Sequence, residues 1–332
     1  MKNFKYCVLI ARCQPFHHGH YELFKNALAQ AETVVMVLGS YKKAPDPENP
    51  WSSEEREQLI RLALTEDELK CVKFVYVRDN WYANNLWLAD VQQHIYEATD
   101  GCDDSQICLI GAENEFPQWK FIYQPNIEHL PHATKIRELY FTMDAAYKNY
   151  VHPKVGAWLE EFKKTEKFKY IKAGFDYLMD YHVKQIGAPW PYTFVTVDAV
   201  VVKSGHVLVV RRKGALGKGL IAMPGGFLNK MERIQDAMLR ELKEETEIQV
   251  DKEMLRKCIK DSDVFDYPRR SLRGRVITHA SVIDLGMGPL PAVKGSDDAD
   301  KAWWMNLREL ALNEEKFFED HYQIITSMTN RI

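Results

Sequence analysis

The sequence has no stretch of roughly 18 apolar residues, the length a membrane-spanning helix needs. The apolar run near its start, VLIA, is too short for the hydrophobic region of a secretory signal. These absences set the expectation of a cytoplasmic protein with no membrane partner. Positive charge is not in surplus. Against 47 Asp and Glu stand 44 Lys and Arg, a formal net charge of −3, which argues against nucleic-acid binding through a broad basic surface but leaves room for a local basic pocket. Cysteine is sparse. Cys7, Cys13, Cys71, Cys102, Cys108 and Cys258 form no CxxC pair and no framework spacing, so reduced thiols are expected, not a disulfide scaffold. There is no internal repeat and no low-complexity tract. A homo-oligomer is left open.

What is present is a chain of 332 residues, 46% hydrophobic and 27% charged, long enough for two packed domains at roughly 150 residues each. The first half alternates strand and helix signals: strands at 6–11 (YCVLIA), 33–38 (TVVMVL), 72–77 and 106–110, with helices at 20–31 and 52–64. Ser52 or Ser53 caps the second helix, and Glu54, Glu55 and Glu57 load its first turns with acid. This pattern predicts an α/β domain, a doubly wound parallel sheet whose ligands lie at the carboxyl ends of the strands. Gly39-Ser40 and Gly111, which end two of those strands, are therefore candidate substrate-binding positions. Trp158, Leu159 and Phe162 recur at helical spacing within 152–185, and Pro189 and Pro191 end that stretch. Beyond it the texture is β-rich: 194–202 and 207–210 flank Lys203-Ser204-Gly205-His206, a hairpin signal. One strong helix follows, then strands at 276–285 and 302–305 and a helical tail from about 307. The expected division is 1–155, a helical connector 156–190, and 191–332.

After the first strand comes Ala11-Arg12-Cys13-Gln14-Pro15-Phe16-His17-His18-Gly19-His20. A lone histidine is ordinarily a surface or core side chain. Here His17 and His20 bracket Gly19 at a strand-to-helix junction, where free backbone N–H groups attract phosphate. Gly19 would let phosphates approach the main chain, and the two imidazoles could donate to their oxygens and stabilise charge on a transferring phosphoryl group. At these residues the sequence resembles the HxGH nucleotidyltransferases, and within them the archaeal-type nicotinamide mononucleotide adenylyltransferases. The segment Asn49-Pro50-Trp51-Ser52-Ser53-Glu54-Glu55-Arg56 is similar to that subgroup's stretch after the second strand. Asp79 and Asn85-Leu86-Trp87 resemble its nicotinamide site, where an indole stacks on the pyridinium. His132-Ala133-Thr134-Lys135-Ile136-Arg137 resembles its second phosphate motif. The resemblance implies catalytic roles for Arg12, His17, His20 and Arg137. It further implies substrate contacts from Gln14, Gly19, Arg56, Asp79, Asn85, Trp87 and Thr134. The chain departs from the subgroup at Cys13 and at His132-Ala133, positions that bear on pocket shape. The implied reaction joins ATP and nicotinamide mononucleotide into NAD and pyrophosphate, with Mg²⁺.

The second motif reads GFLNKMERIQDAMLRELKEETEI, from Gly226 to Ile248. Glu241, Glu244 and Glu245 stand at i, i+3 and i+4, so they share one helix face. Three carboxylates together repel unless a cation joins them, and oxygen ligands suit Mg²⁺ or Mn²⁺. With Gly225 and Gly226 ahead of it, the segment resembles the Nudix box, and the chain from about 190 onward resembles the Nudix hydrolases, an α/β/α fold. The resemblance implies a Glu232–Arg240 ion pair and substrate contacts at Gly225 and Gly226. It also implies one further acidic ligand from a later loop, where Asp297 and Asp298 are candidates and Asp298 is chosen. Glu247 stands where the family has glycine, so either Glu247 is held left-handed or the helix runs on. Fused proteins of this arrangement form a family that the chain resembles over nearly its whole length, which implies ADP-ribose as the second substrate. Two other readings stay open. One is a sensor that binds ADP-ribose without cleaving it, against which stand the retained carboxylates and a tail after Trp303-Trp304 too short for a winged helix. The other is a second domain acting on NADH or another nucleotide diphosphate.

Overall fold

A computed structural model describes residues 2–124, 132–186 and 190–331. The chain divides into two compact units, Met1–Lys172 and Ala173–Ile332.

The first unit begins with β1 (Phe4–Ala11), α1 (His18–Gln30), β2 (Ala31–Leu38), α2 (Ser53–Ala63) and the single turn α3 (Glu66–Leu69). It continues through β3 (Val72–Tyr76), α4 (Asn84–Ala98), β4 (Ile107–Gly111), β5 (Lys120–Tyr123), α5 (Ala133–Phe141), α6 (Pro153–Phe162) and α7 (Glu166–Val183), the last of which spans the boundary. The strands pair in parallel in the order β3-β2-β1-β4-β5. The chain therefore builds outward from β1 on one side and then on the other, and the crevice where direction reverses lies past the carboxyl ends of β1 and β4. β1 and β2 are continuous apolar runs because helices cover both faces of such a sheet. Ser52 accepts from Glu55 N and the Glu55 side chain accepts in return, a capping box that starts α2. Sequence patterning missed α4 and β5. The helical stretch near 152–185 is two helices, α6 and α7, and Trp51 packs edge-on against Phe162 of α6. Pro189 lies outside the described residues.

In the second unit β6 (Thr193–Lys203) and β7 (His206–Arg212) form a hairpin whose tip, Ser204 and Gly205, has positive φ at both positions, as its two-residue turn demands. Next come β8 (Ile221–Ala222), β9 (Gly225–Phe227), α8 (Ile234–Thr246), α9 (Lys252–Lys257), β10 (Ile259–Phe265), β11 (Arg275–Asp284), β12 (Ala299–Asn306) and α10 (His321–Thr329). The seven-stranded sheet is mixed, ordered β10-β11-β6-β7-β12, with β8 on β7 and β9 on β6. Val197, Ala199 and Val201 of β6 share a core with Ala237, Met238, Leu239 and Leu242 of α8. The expected helical tail from 307 is only partly helical. Phe318 N bonds Ile221 O and Phe317 bridges Ile221, so tertiary pairing holds those two residues extended and α10 starts at His321. No described helix is long and apolar enough to cross a membrane.

Glu247 ends α8 with φ 43° and ψ 30°, its N–H bonded to Lys243 O. The helix stops in a left-handed residue, and a non-glycine there costs about 1 kcal/mol. Glu247→Gly should raise stability by up to about 1 kcal/mol in denaturant titration, the relief being offset in part by glycine's freer unfolded chain. No gain would mean that the residue carries no strain.

Candidate active sites

A cavity of about 440 Å³ opens past the carboxyl ends of β1 and β4. Arg12, Gln14, His17, Gly19 and His20 line it from the first turn, Gly111 from β4, and Thr134 and Arg137 from α5. The fold thus brings together residues more than a hundred positions apart. His17 caps α1, its Nδ1 accepting from Gly19 N at 3.1 Å. A nitrogen that accepts carries no proton, so the neutral ring bears its hydrogen on Nε2 and can donate it to a ligand oxygen. The His20 ring lies 3.9 Å from that of His17 and 5.8 Å from Phe16, centroid to centroid. Its Nδ1 is buried with no hydrogen-bond partner among the described residues, and the Pro15 backbone and the neighbouring rings hold it in place. Arg137 is 6% exposed, donates to Gln14 O at 2.6 Å and reaches Thr134 Oγ1 at 3.3 Å. Burial lowers its pKa to about 10, which leaves it fully charged at neutral pH. Gln14 is fully engaged with the Trp51 main chain, donating to its O and accepting from its N, and so pins the turn.

Six predicted substrate contacts do not line this cavity. Arg56 is 0% exposed. Its guanidinium donates to Arg12 O at 2.6 Å, Gly39 O at 2.8 Å and Ser53 Oγ at 2.7 Å, so it ties the ends of β1 and β2 together from behind. Asp79 accepts from Ser40 N and Ser40 Oγ, which shapes the turn after Gly39. Asn85 is exposed near the start of α4, and Trp87 packs on the sheet core with its ring 6.2 Å from Phe116. All six nevertheless sit at the same carboxyl edge of the sheet or on α2 and α4, the helices that follow β2 and β3.

Burial drives the His17 pKa down to about 2 and that of His20 to about 4, helped at His17 by its neighbour's charge. Both rings are neutral at pH 7. The unfolded chain takes up protons below about 6.5 that the folded chain refuses, so stability falls as pH drops from there toward 4. A thermal midpoint that declines over this window, and declines less in His17→Gln/His20→Gln, is the expected result. A midpoint flat from pH 6.5 to 4.5 would contradict it.

The second site is built on the β9–α8 corner. Arg240 chelates Glu232 with two 2.9 Å bonds, and its Nη1 reaches Glu241 at 2.7 Å and Glu244 at 2.8 Å. Glu245, 7% exposed, accepts from Gly225 N at 3.0 Å. A Cβ on Gly225 would lie 2.2 Å from Val197 O, so the β6–β9 pairing needs glycine there, and one on Gly226 would lie 2.6 Å from Glu241 Cδ, so glycine there lets that carboxylate approach β9. The three glutamates share a face but do not close on one point. Arg240 draws Glu241 and Glu244 one way while Gly225 holds Glu245, and no described group of three or more acidic, His or Cys side chains stands ready as a metal cage. The chemistry of the donors still fits a divalent cation. Burial raises the pKa of Glu241, and that of Glu245 to about 8 with Glu241 adding to it, an excess of confined negative charge that a hard cation relieves. Asp297 and Asp298 are both exposed; the charge of Asp297 reaches Glu241, whereas that of Asp298 reaches Arg212. Sequence reading missed Asp198. It is buried beneath Gly225, accepts from Thr278 at 2.5 Å and has its pKa raised by burial to about 6. Nothing but its inward place in an apolar strand marks it.

Two family models match the chain: Cytidylyltransferase-like over residues 10–189 and NUDIX domain over 193–328. A nicotinamide/nicotinic acid mononucleotide adenylyltransferase of Acinetobacter baylyi is 29% identical over 149 residues, 42% of this chain and 78% of that protein. An ADP-ribose pyrophosphatase of Methanocaldococcus jannaschii is 35% identical over 130 residues, 38% of this chain and 72% of that one. A crystal structure of a bifunctional NMN adenylyltransferase/ADP ribose pyrophosphatase from Francisella tularensis, complexed with AMP and a Mn ion, matches with a TM-score of 0.94. It is 33% identical, and the match covers 99% of each chain.

Proposed function

The chain belongs to the family that joins a cytidylyltransferase-like domain to a NUDIX domain in one polypeptide, and on that premise we propose that it makes NAD at its first site and cleaves ADP-ribose at its second. The observation that carries the first half is the cavity at the β1–β4 crevice, where two neutral imidazoles and the buried Arg137 converge from distant parts of the chain. The phosphate of nicotinamide mononucleotide attacks the α-phosphorus of ATP, the bond to the β-phosphate breaks, and pyrophosphate leaves. The nucleophile is already an anion, so the protein has little proton transfer to perform. Its work is to place the reactants and oppose the charge that builds on the phosphoryl oxygens. His17, His20, Arg12 and Arg137 do so, with Gly19, Gly111 and Thr134 against the phosphates. We assign the nicotinamide half of the acceptor to the carboxyl edge carrying Gly39, Ser40 and Asp79 and to the start of α4 with Asn85 and Trp87. Arg56 and Gln14 hold that edge in shape.

At the second site Glu241, Glu244 and Glu245, with an acid from the Asp297–Asp298 loop, would hold a divalent cation, Mg²⁺ or Mn²⁺, which supplies electrophilic pull on a diphosphate and activated water. Gly225 and Gly226 let the substrate approach β9, and Glu232 holds Arg240. Water adds to phosphorus, the P–O–P bridge breaks, and AMP and ribose 5-phosphate result. The adenylyl-transfer domain is placed at 1–155, the connector at 156–190 and the hydrolase at 191–332. Chromatography of products after incubation with Mg²⁺, first with ATP and nicotinamide mononucleotide and then with a panel of nucleotide diphosphates, tests both halves. NAD absent from the first mixture, or ADP-ribose the poorest substrate of the second, would overturn the corresponding half.

A further inference from the structure

The first site's cavity is lined by a cation that is already paired. Arg12 faces the cavity, yet its Nη2 donates to Glu48 Oε1 at 3.2 Å. Glu48 is the sole hydrogen-bond partner of that guanidinium among the described residues. The Arg12 side chain is 39% exposed and that of Glu48 13% exposed, so the carboxylate is the more enclosed of the two. An acid this close to a phosphate cavity works against the incoming anion, unless it serves the cation beside it.

Glu48 stands on a stiff support. It belongs to Ala44-Pro45-Asp46-Pro47-Glu48-Asn49-Pro50, where prolines fix φ before and after it. Asp46 Oδ1 accepts from Glu48 N at 2.7 Å and from Asn49 N at 2.6 Å, and Asp46 and Asn49 exchange backbone bonds at 3.3 and 3.1 Å. Such an Asx turn sets the direction of the residue inside it. Lys43 pairs with Asp46 at 3.5 Å and lies 4.8 Å from the centre of the Trp81 ring, which anchors the start of the loop. Its end is anchored too: Asn49 and Trp51 are buried, and the Trp51 main chain is bonded to Gln14. On the other side of the pair, Arg12 O accepts from Arg56 at 2.6 Å. The main chain is thus pinned behind both partners, unlike that of a surface ion pair between two mobile side chains.

Arg12 also has a reason to turn away. Its charge bears on Arg137, another cation lining the cavity, and two guanidiniums with no anion between them repel. We infer that Glu48 is the positioning residue for Arg12: it holds the guanidinium at the cavity against the repulsion of Arg137 and leaves its remaining N–H donors for phosphate oxygens. Glu48 touches no reacting atom in this role and acts through the arginine alone. A donor placed in advance needs no reorganisation when charge builds on the phosphoryl group. The inference rests on the reading of Arg12 as a donor to that group.

The test uses the full-length chain with Mg²⁺, ATP and nicotinamide mononucleotide, and reads kcat and KM for ATP separately. Glu48→Ala should lower kcat for NAD synthesis about tenfold while KM stays within about threefold of the parent. Glu48→Gln keeps an acceptor oxygen for Arg12 and should recover most of that loss. Arg12→Ala should lower kcat by about 10²-fold, and in that background Glu48→Ala should add no more than about twofold, because the group it positions is gone. ADP-ribose hydrolysis should stay at its parental rate throughout. An unchanged or raised kcat in Glu48→Ala would make the acid a brake on the site and overturn the proposal, as would a full tenfold loss on top of Arg12→Ala. Should Glu48→Ala unfold the first unit, Glu48→Asp takes its place: its carboxylate stops one methylene short of Arg12, and a parental kcat there overturns the proposal. A folded Arg12→Ala variant that makes NAD at the parental rate sinks the reading of Arg12 and this inference with it.

Discussion

Glu245→Gln should lower ADP-ribose hydrolysis by on the order of a thousandfold, leave NAD synthesis at its parental rate and fail to lower the melting temperature. The first expectation follows from removing one anionic oxygen donor from a cation whose electrophilic pull is worth several kcal/mol. The third follows from where the carboxylate lies. Glu245 is 7% exposed, and burial raises its pKa to about 8. The folded chain therefore holds a proton that the unfolded chain releases above about 4.5, and stability from this group is present in acid and lost as pH rises toward 8. At neutral pH the glutamate burdens folding, and an isosteric neutral amide does not. The amide oxygen can still accept from Gly225 N, so the β9–α8 corner keeps its shape. Loss of hydrolysis together with an unchanged or raised melting temperature separates a missing charge from a broken fold. Retention of more than a tenth of the parental hydrolysis rate would remove Glu245 from the catalytic set.

His20→Ala should slow adenylyl transfer by about 10²- to 10³-fold, the usual effect of deleting one donor aimed at developing phosphoryl charge. ADP-ribose hydrolysis should be untouched. The alanine also removes the ring that packs at a tilt against His17, 3.9 Å between centroids, so part of the loss belongs to a loosened neighbour. His20→Asn restores a donor of smaller reach and should recover part of the rate if donation matters, whereas packing alone predicts no recovery. Because both imidazoles are neutral well below pH 6, the rate of the parent should show no step near the ordinary histidine range. A sigmoidal fall centred on pH 6.5 would assign the chemistry to a protonated imidazole and overturn the present reading.

Much of both sites was legible in local pattern. The run of β1, the His17–Gly19–His20 turn and the capped start of α2 are each decided within about ten residues, and so is the i, i+3, i+4 set of glutamates. The hairpin at Ser204-Gly205 was legible for the same reason, since a two-residue turn constrains its own φ values. Arg56 shows where such reading stops. Its motif placed it beside substrate, but four backbone carbonyls and a serine hydroxyl claim its guanidinium once β1, β2 and α2 are assembled. Phe317 and Phe318 look helical in sequence and are extended because Ile221, nearly a hundred residues earlier, offers a backbone partner.

The sequence by itself determined two anion-handling motifs, their order along the chain and the class of fold that carries each, because periodicity, turn chemistry and caps act between near neighbours. Only the tertiary structure decided that Arg137 meets His17 across one cavity, and that Glu245 is sealed against Gly225 while Arg240 draws its two companions away. Those outcomes depend on which distant groups desolvate a charge and which partners reach it first. Burial and pairing are properties of the packed chain, and no local stretch of it contains them.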